Sequence, residues 1–296
     1  MKSIVNAMIF AVIIITCSAT LGFCQETLNE TVKSRTVSAG IGFPDFQKSF
    51  QGHFGLGVGL TPDYEGSDDI DVKAFPLTEI RKPGMFFLQG AGINYNEGQA
   101  SAGVTVFHLS YSDGDEDKGM FLLGPLVRYY SGRDEGDNEA LAGLGDINSS
   151  AGLGVFLEFN SGNWNCNLTA VPREVGDDTD GLLVNLDAKH SVLINEKLTV
   201  SPGLSISWVD DDYMQGFFGV TETEAAKSGL RQHDTESGFK DVGINIETSY
   251  ALSKSLSLLS QVGYWRLLND ASDSPIVDDK GAENQYRGQV GLVFRF

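Results

Sequence analysis

The chain ends on a stretch, Gln285 to Phe296, in which apolar and polar positions alternate almost residue by residue. Tyr286, Val290, Leu292, Phe294 and Phe296 fall on one side of a strand, and Arg287, Gln289, Gly291 and Arg295 on the other. About ten to twelve residues are needed to cross a bilayer at a tilt. The pattern therefore predicts a strand standing between lipid and water. The same period recurs upstream over residues 53–60, 71–81, 85–95, 100–111, 120–130, 151–159, 164–173, 181–194, 198–209, 239–252 and 256–268, giving about twelve strands in all. The clearest sets Leu198, Val200, Leu204, Ile206 and Trp208 against Thr199, Ser201, Gly203, Ser205 and Ser207. A soluble sheet has the same period, but here it fills most of the chain and leaves little to build a second layer. The expected fold is all-β: a transmembrane antiparallel up-and-down barrel.

Connection lengths support this independently. Long segments (61–70, 131–150, 174–180, 210–238, 269–284) alternate with short ones (82–84, 160–163, 195–197, 253–255). Outer-membrane barrels have long outer loops and tight periplasmic turns, and an even strand count places both termini in the periplasm. Residues 96–99 are short for an outer loop and Ser112 to Gly119 long for an inner turn. Pro76, Pro125, Pro172 and Pro202 lie inside strands, where each removes a ladder hydrogen bond, so bulges or strand ends are expected there. Gly55, Gly57 and Gly59 take the inward positions of the first strand, which lets a narrow wall or a plug pack closely.

Residues 1–24 form a separate unit: Met1-Lys2, an apolar run from Ala7 to Thr16, then small and polar residues up to Gln25. This is the pattern of a cleaved secretory signal peptide, too short in its apolar run to span as a helix. Residues 25–52 are expected in the periplasm or the lumen, and 53–296 in the barrel. Cys17 and Cys24 leave with the signal. Cys166 then stands alone, alternating with Trp164 and Leu168 on the lipid side.

Forty acidic residues against 21 basic ones give a net charge of −19, with no basic stripe to neutralise phosphates, so nucleic acid is not an expected partner. His53, His108, His190 and His233 have no metal-ligand spacing, and the acidic runs Ser67-Asp-Asp69 and Asp210-Asp-Asp212 lack the spacing of a dedicated calcium loop. No metal or other cofactor is expected. His108 and Ser110 share a strand face, but no orienting third group is evident, and they are expected to be an ordinary lumen pair rather than a hydrolase dyad. The inward phase also carries Lys73, Arg128, Glu158, Lys189, Glu247, Arg287 and Arg295. In a narrow lumen these charges either pair, closing the barrel, or stay wet, leaving a small channel.

The ending, with Gln289, Gly291, Phe294 and Phe296, resembles the carboxy-terminal signal read by the barrel assembly machinery of Gram-negative outer membranes. A second resemblance lies in an ordered set of strings. Tyr64-Glu-Gly-Ser-Asp68 and Phe75-Pro-Leu77 come first, then Gly132-Arg-Asp-Glu135 and Leu141-Ala-Gly-Leu-Gly-Asp-Ile147. Tyr213, Phe218-Gly-Val220 and Ala225-Ala-Lys-Ser-Gly-Leu230 follow, and Leu267-Leu268 and Asp273-Ser-Pro-Ile-Val277 close the series. Together, over residues 53–296, they resemble the MipA/OmpV family. The resemblance implies an outer-membrane barrel, in contact with lipopolysaccharide and without catalytic residues. It also implies a scaffold between a murein lytic transglycosylase and a penicillin-binding protein, although other members are treated as adhesins, immunogens or envelope-stress proteins. The expected role is a scaffold or interaction protein, not an enzyme; a narrow solute channel, a surface adhesin and a lipid hydrolase are the alternatives.

Overall fold

A computed structural model describes residues 35–41, 49–90, 100–113, 116–176 and 179–296. The signal segment 1–24 lies outside the described residues. The strands are β1 (Arg35–Ile41), β2 (Gln51–Pro62), β3 (Ile70–Lys82), β4 (Phe86–Gly90), β5 (Ala100–Val104), β6 (Phe107–Asp113), β7 (Glu116–Tyr130), β8 (Ser150–Ser161), β9 (Trp164–Gly176), β10 (Thr179–His190), β11 (Val192–Leu193), β12 (Leu198–Val209), β13 (Gly238–Ala251), β14 (Leu256–Leu267) and β15 (Asn284–Arg295). Every pairing is antiparallel, and β7 joins β8 to close a ring of twelve strands in which β5 and β6 follow one another along β7. No described helix is long and apolar enough to cross a membrane.

Alternation decides which way each side chain points. Phe54, Leu56, Val58 and Leu60 of β2 and Leu292, Phe294 and Phe296 at the end of the chain are all exposed, forming part of an apolar belt. Ser201, Ser205 and Ser207 of β12 and Gln261 of β14 are buried inside. A closed ring leaves no edge to meet lipid and satisfies the backbone within the wall, so this surface fits a bilayer.

Between the first and last barrel strands, β2 and β15, the fit is tight. A Cβ on Gly55 would overlap the carbonyl oxygen of Leu292, and one on Gly291 would overlap Leu77. Gly55→Val is expected to block this seam and reduce the heat-modifiable, folded fraction in detergent, with overpacking of about 1–3 kcal/mol or more behind it.

Three expectations change. Pro76, Pro172 and Pro202 sit in ladders that continue past them without a register shift, each ring facing outward, so bulges are not needed there. Pro125 is different: it lies beside the break between β5 and β6, at Thr105–Val106, where its missing N–H loses no regular partner. The segment 25–52 contributes a wall strand. β1 pairs with β6 along its whole length, from Arg35 opposite Asp113 to Ile41 opposite Phe107, and sets Val37, Ala39 and Ile41 beside Tyr111, Leu109 and Phe107. It covers the stretch of β6 that β4, which begins only at Phe86, does not reach. The inner connection at 112–119 is shorter than expected because β6 and β7 pair as far as Asp113 and Glu116; the last residues of this hairpin have no partner on β8, whose pairing begins at Met120.

Candidate functional site

The long outer connections are not open loops. They carry α1 (Asp211–Phe218), α2 (Glu222–Ser228), α3 (Asn269–Asp273) and α4 (Pro275–Asp278). The side chain of Asp210 caps α1 by accepting from the Tyr213 amide at 3.0 Å, and also from the Leu182 amide of β10 at 2.9 Å, which pins the helix start to the wall. The helix then turns Tyr213, Met214, Phe217 and Phe218 into the barrel mouth, all essentially buried. They pack with Tyr130, Ile147, Val171, Val175, Leu183, Val209 and Val277. Gly181 permits the approach: a Cβ there would stand 2.5 Å from the Tyr213 backbone. A second apolar layer joins Tyr64, Leu141, Leu144, Val220, Leu230 and Ile276. Ser274 Oγ donates to the Phe218 carbonyl at 2.6 Å, tying the α3–α4 connection to α1. The outer mouth is thus filled by a cap of two apolar layers.

Polar groups anchor the cap from beneath. Lys240 of β13, 1% exposed, is ion-paired with Glu65 and lies 3.0 Å from Asp241 Oδ2. Ser207 Oγ donates to Asp241 Oδ1 at 2.8 Å, and Tyr213 donates from its hydroxyl to Glu65 at 3.3 Å. Arg173 donates to the Tyr213 hydroxyl and the Ser131 carbonyl while its guanidinium stacks 4.2 Å from the Phe217 ring centre. Each buried charge is paired or hydrogen-bonded, as burial requires.

Burial alone would raise the Glu65 carboxyl, but the charges of Lys240 and Arg173 outweigh it and hold the group below its ordinary value of 4.5. The folded value being the lower one, this contribution to the cap is fully present above the unfolded value and is lost as pH falls through the folded one. Surface proteolysis of the 210–237 connection should be unchanged from neutral pH down to the ordinary carboxyl value of 4.5 and rise only below it. Tyr64 moves the other way: burial, then the nearby Asp68 carboxylate, push its hydroxyl up to about 12. It stays protonated and donates to the carbonyls of Ile276 and Lys280.

Below the cap lies a polar chamber of about 160 Å³. Of the residues marked in sequence, Lys189 and Glu247 meet as an ion pair at 3.1 Å. Glu158 is buried and bound by Arg81 at 3.1 Å, with Asn160 and Asn165 also donating to it. Arg128 donates to Thr169 at 3.3 Å, and Arg287 stacks 5.2 Å from Trp265. Lys73 does not join them: it is half-exposed and, among the described residues, is paired with Asp71 alone, at 4.0 Å. Arg295 stands near the periplasmic end with its Nε unpartnered among the described residues. Of the terminal residues, Gln289 turns inward and donates to Gln261 at 2.7 Å, while Phe294 and Phe296 face out around Phe54. His108 lies against Gly40 of β1, away from the chamber.

Arg81, Arg173 and the Lys240–Glu65 pair were not singled out in sequence; Arg81 stands as a charge at an inward position of its strand, whereas Lys240 falls in phase with outward Val242, Ile244 and Ile246 and is turned inward by the register shift opposite Ser207 and Trp208. The family-marking strings, by contrast, converge in the cap: Tyr64, Leu141, Ile147, Tyr213, Phe218, Val220, Leu230, Ile276 and Val277 all pack there. Residues 54–296 match the family described as MltA-interacting protein MipA. The chain belongs to that family. Similar to it is the MltA-interacting protein of Escherichia coli, 24% identical over 253 residues that make up 83% of this chain and 91% of that one. Escherichia coli YiaT, named as an outer membrane protein, is 23% identical over 162 residues, 55% of this chain and 63% of its own length. These relatives are named as interacting or outer-membrane proteins, not as enzymes. Among solved structures, the NanC porin shares 11% identity at a TM-score of 0.40, covering 81% of this chain and all of its own. A likeness at that level decides nothing here. The closed barrel and the MipA-family relatives place the protein in the outer membrane.

Proposed function

We propose that this MipA-type barrel is a non-enzymatic interaction protein that docks murein-processing enzymes on its periplasmic side, a lytic transglycosylase and a penicillin-binding protein among them. One observation carries the proposal: the mouth is filled from outside while the β6–β7 hairpin, backed by β1, reaches past the end of β8 on the opposite side. The cap supports contact rather than passage. The hairpin and its added strand offer a surface that the short turns do not. The relative's name, MltA-interacting protein, supports the choice of a murein hydrolase as partner. Lipopolysaccharide would lie against the outer belt, and the barrel assembly machinery would read the strand that ends at Phe296.

Photo-reactive residues at Ser112 and Gly119, set against others at Glu222 in the cap, test the proposal in intact envelopes. Capture of a murein hydrolase or synthase from the hairpin alone is the expected result. Capture of such an enzyme from neither site, with lipopolysaccharide or outside ligands found on the cap, would count against it.

A further inference from the structure

The chamber beneath the cap holds polar groups that its own network does not use. Arg128 Nε, Asn167 Oδ1 and Asn245 Oδ1 are buried with no hydrogen-bond partner among the described residues. Asp187 projects into the same space, exposed to the chamber, with no described ion pair or hydrogen bond. They come from four strands, β7, β9, β10 and β13, and converge on one volume. Buried polar atoms in folded proteins are nearly all satisfied, so the three buried atoms, with the Asp187 carboxylate beside them, mark a place where something else supplies the bonds.

The lining gives that ligand its character. Four acidic and four basic side chains line the chamber, so it is neutral overall and a net charge on the ligand would stand uncompensated. Six amide side chains are present, each both donor and acceptor. The unused groups comprise acceptors on Asn167, Asn245 and Asp187 and a donor on Arg128, a mixture that a hydroxyl group, which donates and accepts, can answer at every point. The volume of about 160 Å³ is close to that of a cavity known to hold benzene, which limits the ligand to about six to ten non-hydrogen atoms. We propose that the chamber is a binding site for a small neutral polyol, of glycerol to pentose size, held by Asn167, Asn245, Arg128 and Asp187. None of its lining residues belongs to the turn region of the periplasmic hairpin, so the site does not rest on docking there.

The test is ligand-observed saturation-transfer NMR on the full chain folded in detergent micelles, with glycerol, erythritol and ribose as probes and the ethylammonium cation and succinate as comparators. Saturable transfer to at least one polyol is expected, and none to the charged compounds. Asn167→Leu and Asn245→Leu keep the side-chain volume and remove the bonds; each should weaken binding about tenfold, as for a lost buried hydrogen bond. The heat-modifiable gel shift verifies the fold of each, and the two variants stand on different strands so that either suffices. Absence of saturable polyol binding, meaning that water alone fills the chamber, would overturn the proposal. So would preference for ethylammonium or succinate, or polyol binding unchanged in both variants.

Discussion

Lys240→Met is expected to destabilise the barrel by about 3–5 kcal/mol, because it strands two buried carboxylates without their cation. Glu65 and Asp241 both depend on this ammonium, and neither has solvent to turn to, being 8% and 3% exposed. Met matches Lys in length, so the loss would be electrostatic rather than a cavity. Lys189→Met makes the contrast: its pair with Glu247 is one-third exposed on the lysine side, and its removal should change stability by about 1 kcal/mol or less. Urea unfolding from lipid vesicles, followed by tryptophan emission, measures both. Addition of Glu65→Gln to Lys240→Met should restore part of the loss, since it removes one of the two stranded charges.

The second large effect is expected from Tyr213→Ala. Tyr213 stacks on Phe217 with ring centres 4.7 Å apart, contacts Glu65 and Arg173 through its hydroxyl, and is fully buried. Truncation of a buried aromatic side chain costs about 3–5 kcal/mol. Against an eight-residue helix, which could not persist alone, that is enough to release α1 from the mouth. The ring of strands has its own ladder and should stay closed. The variant should therefore remain heat-modifiable while its 210–237 connection becomes sensitive to added protease, a separation that a global unfolding defect would not give.

What the sequence made legible follows from where its periods are strict. In β12 the outward Leu198, Leu204 and Ile206 and the inward Ser201, Ser205 and Ser207 fall on the expected sides because a one-residue slip would turn the whole set over. The break between β5 and β6 was not legible, since the change of phase falls between Val106 and Phe107, two adjacent apolar residues that give it no polar mark. β1 was not legible as a wall strand for another reason: its pairing among the described residues is with β6, more than sixty residues later, about which local pattern is silent.

The cap was partly written in the chain. Asp210 before an acidic first turn, and Thr221 with Glu224 three residues on, closing at Gly229, are helix start and stop signals, and the structure shows both caps formed. What the signals do not tell is that α1 folds inward. That depends on Gly181 and on the buried pair of Lys240 with Glu65, residues from β10, β13 and the β2–β3 connection that only the closed ring brings together. The lumen residues divide in the same way: the inward phase of Lys189 and Glu247 is local, whereas the choice of Arg81 as partner for Glu158 depends on the lumen's width.

A barrel sealed at its outer mouth and acting by contact carries no ion current. Ion current across a planar bilayer loaded with the folded chain, before and after Tyr213→Ala, tests it most directly. A silent baseline is expected for the natural chain at high protein loading, and resolved conductance steps once α1 is released. Sustained steps from the natural chain would contradict it and make the protein a channel.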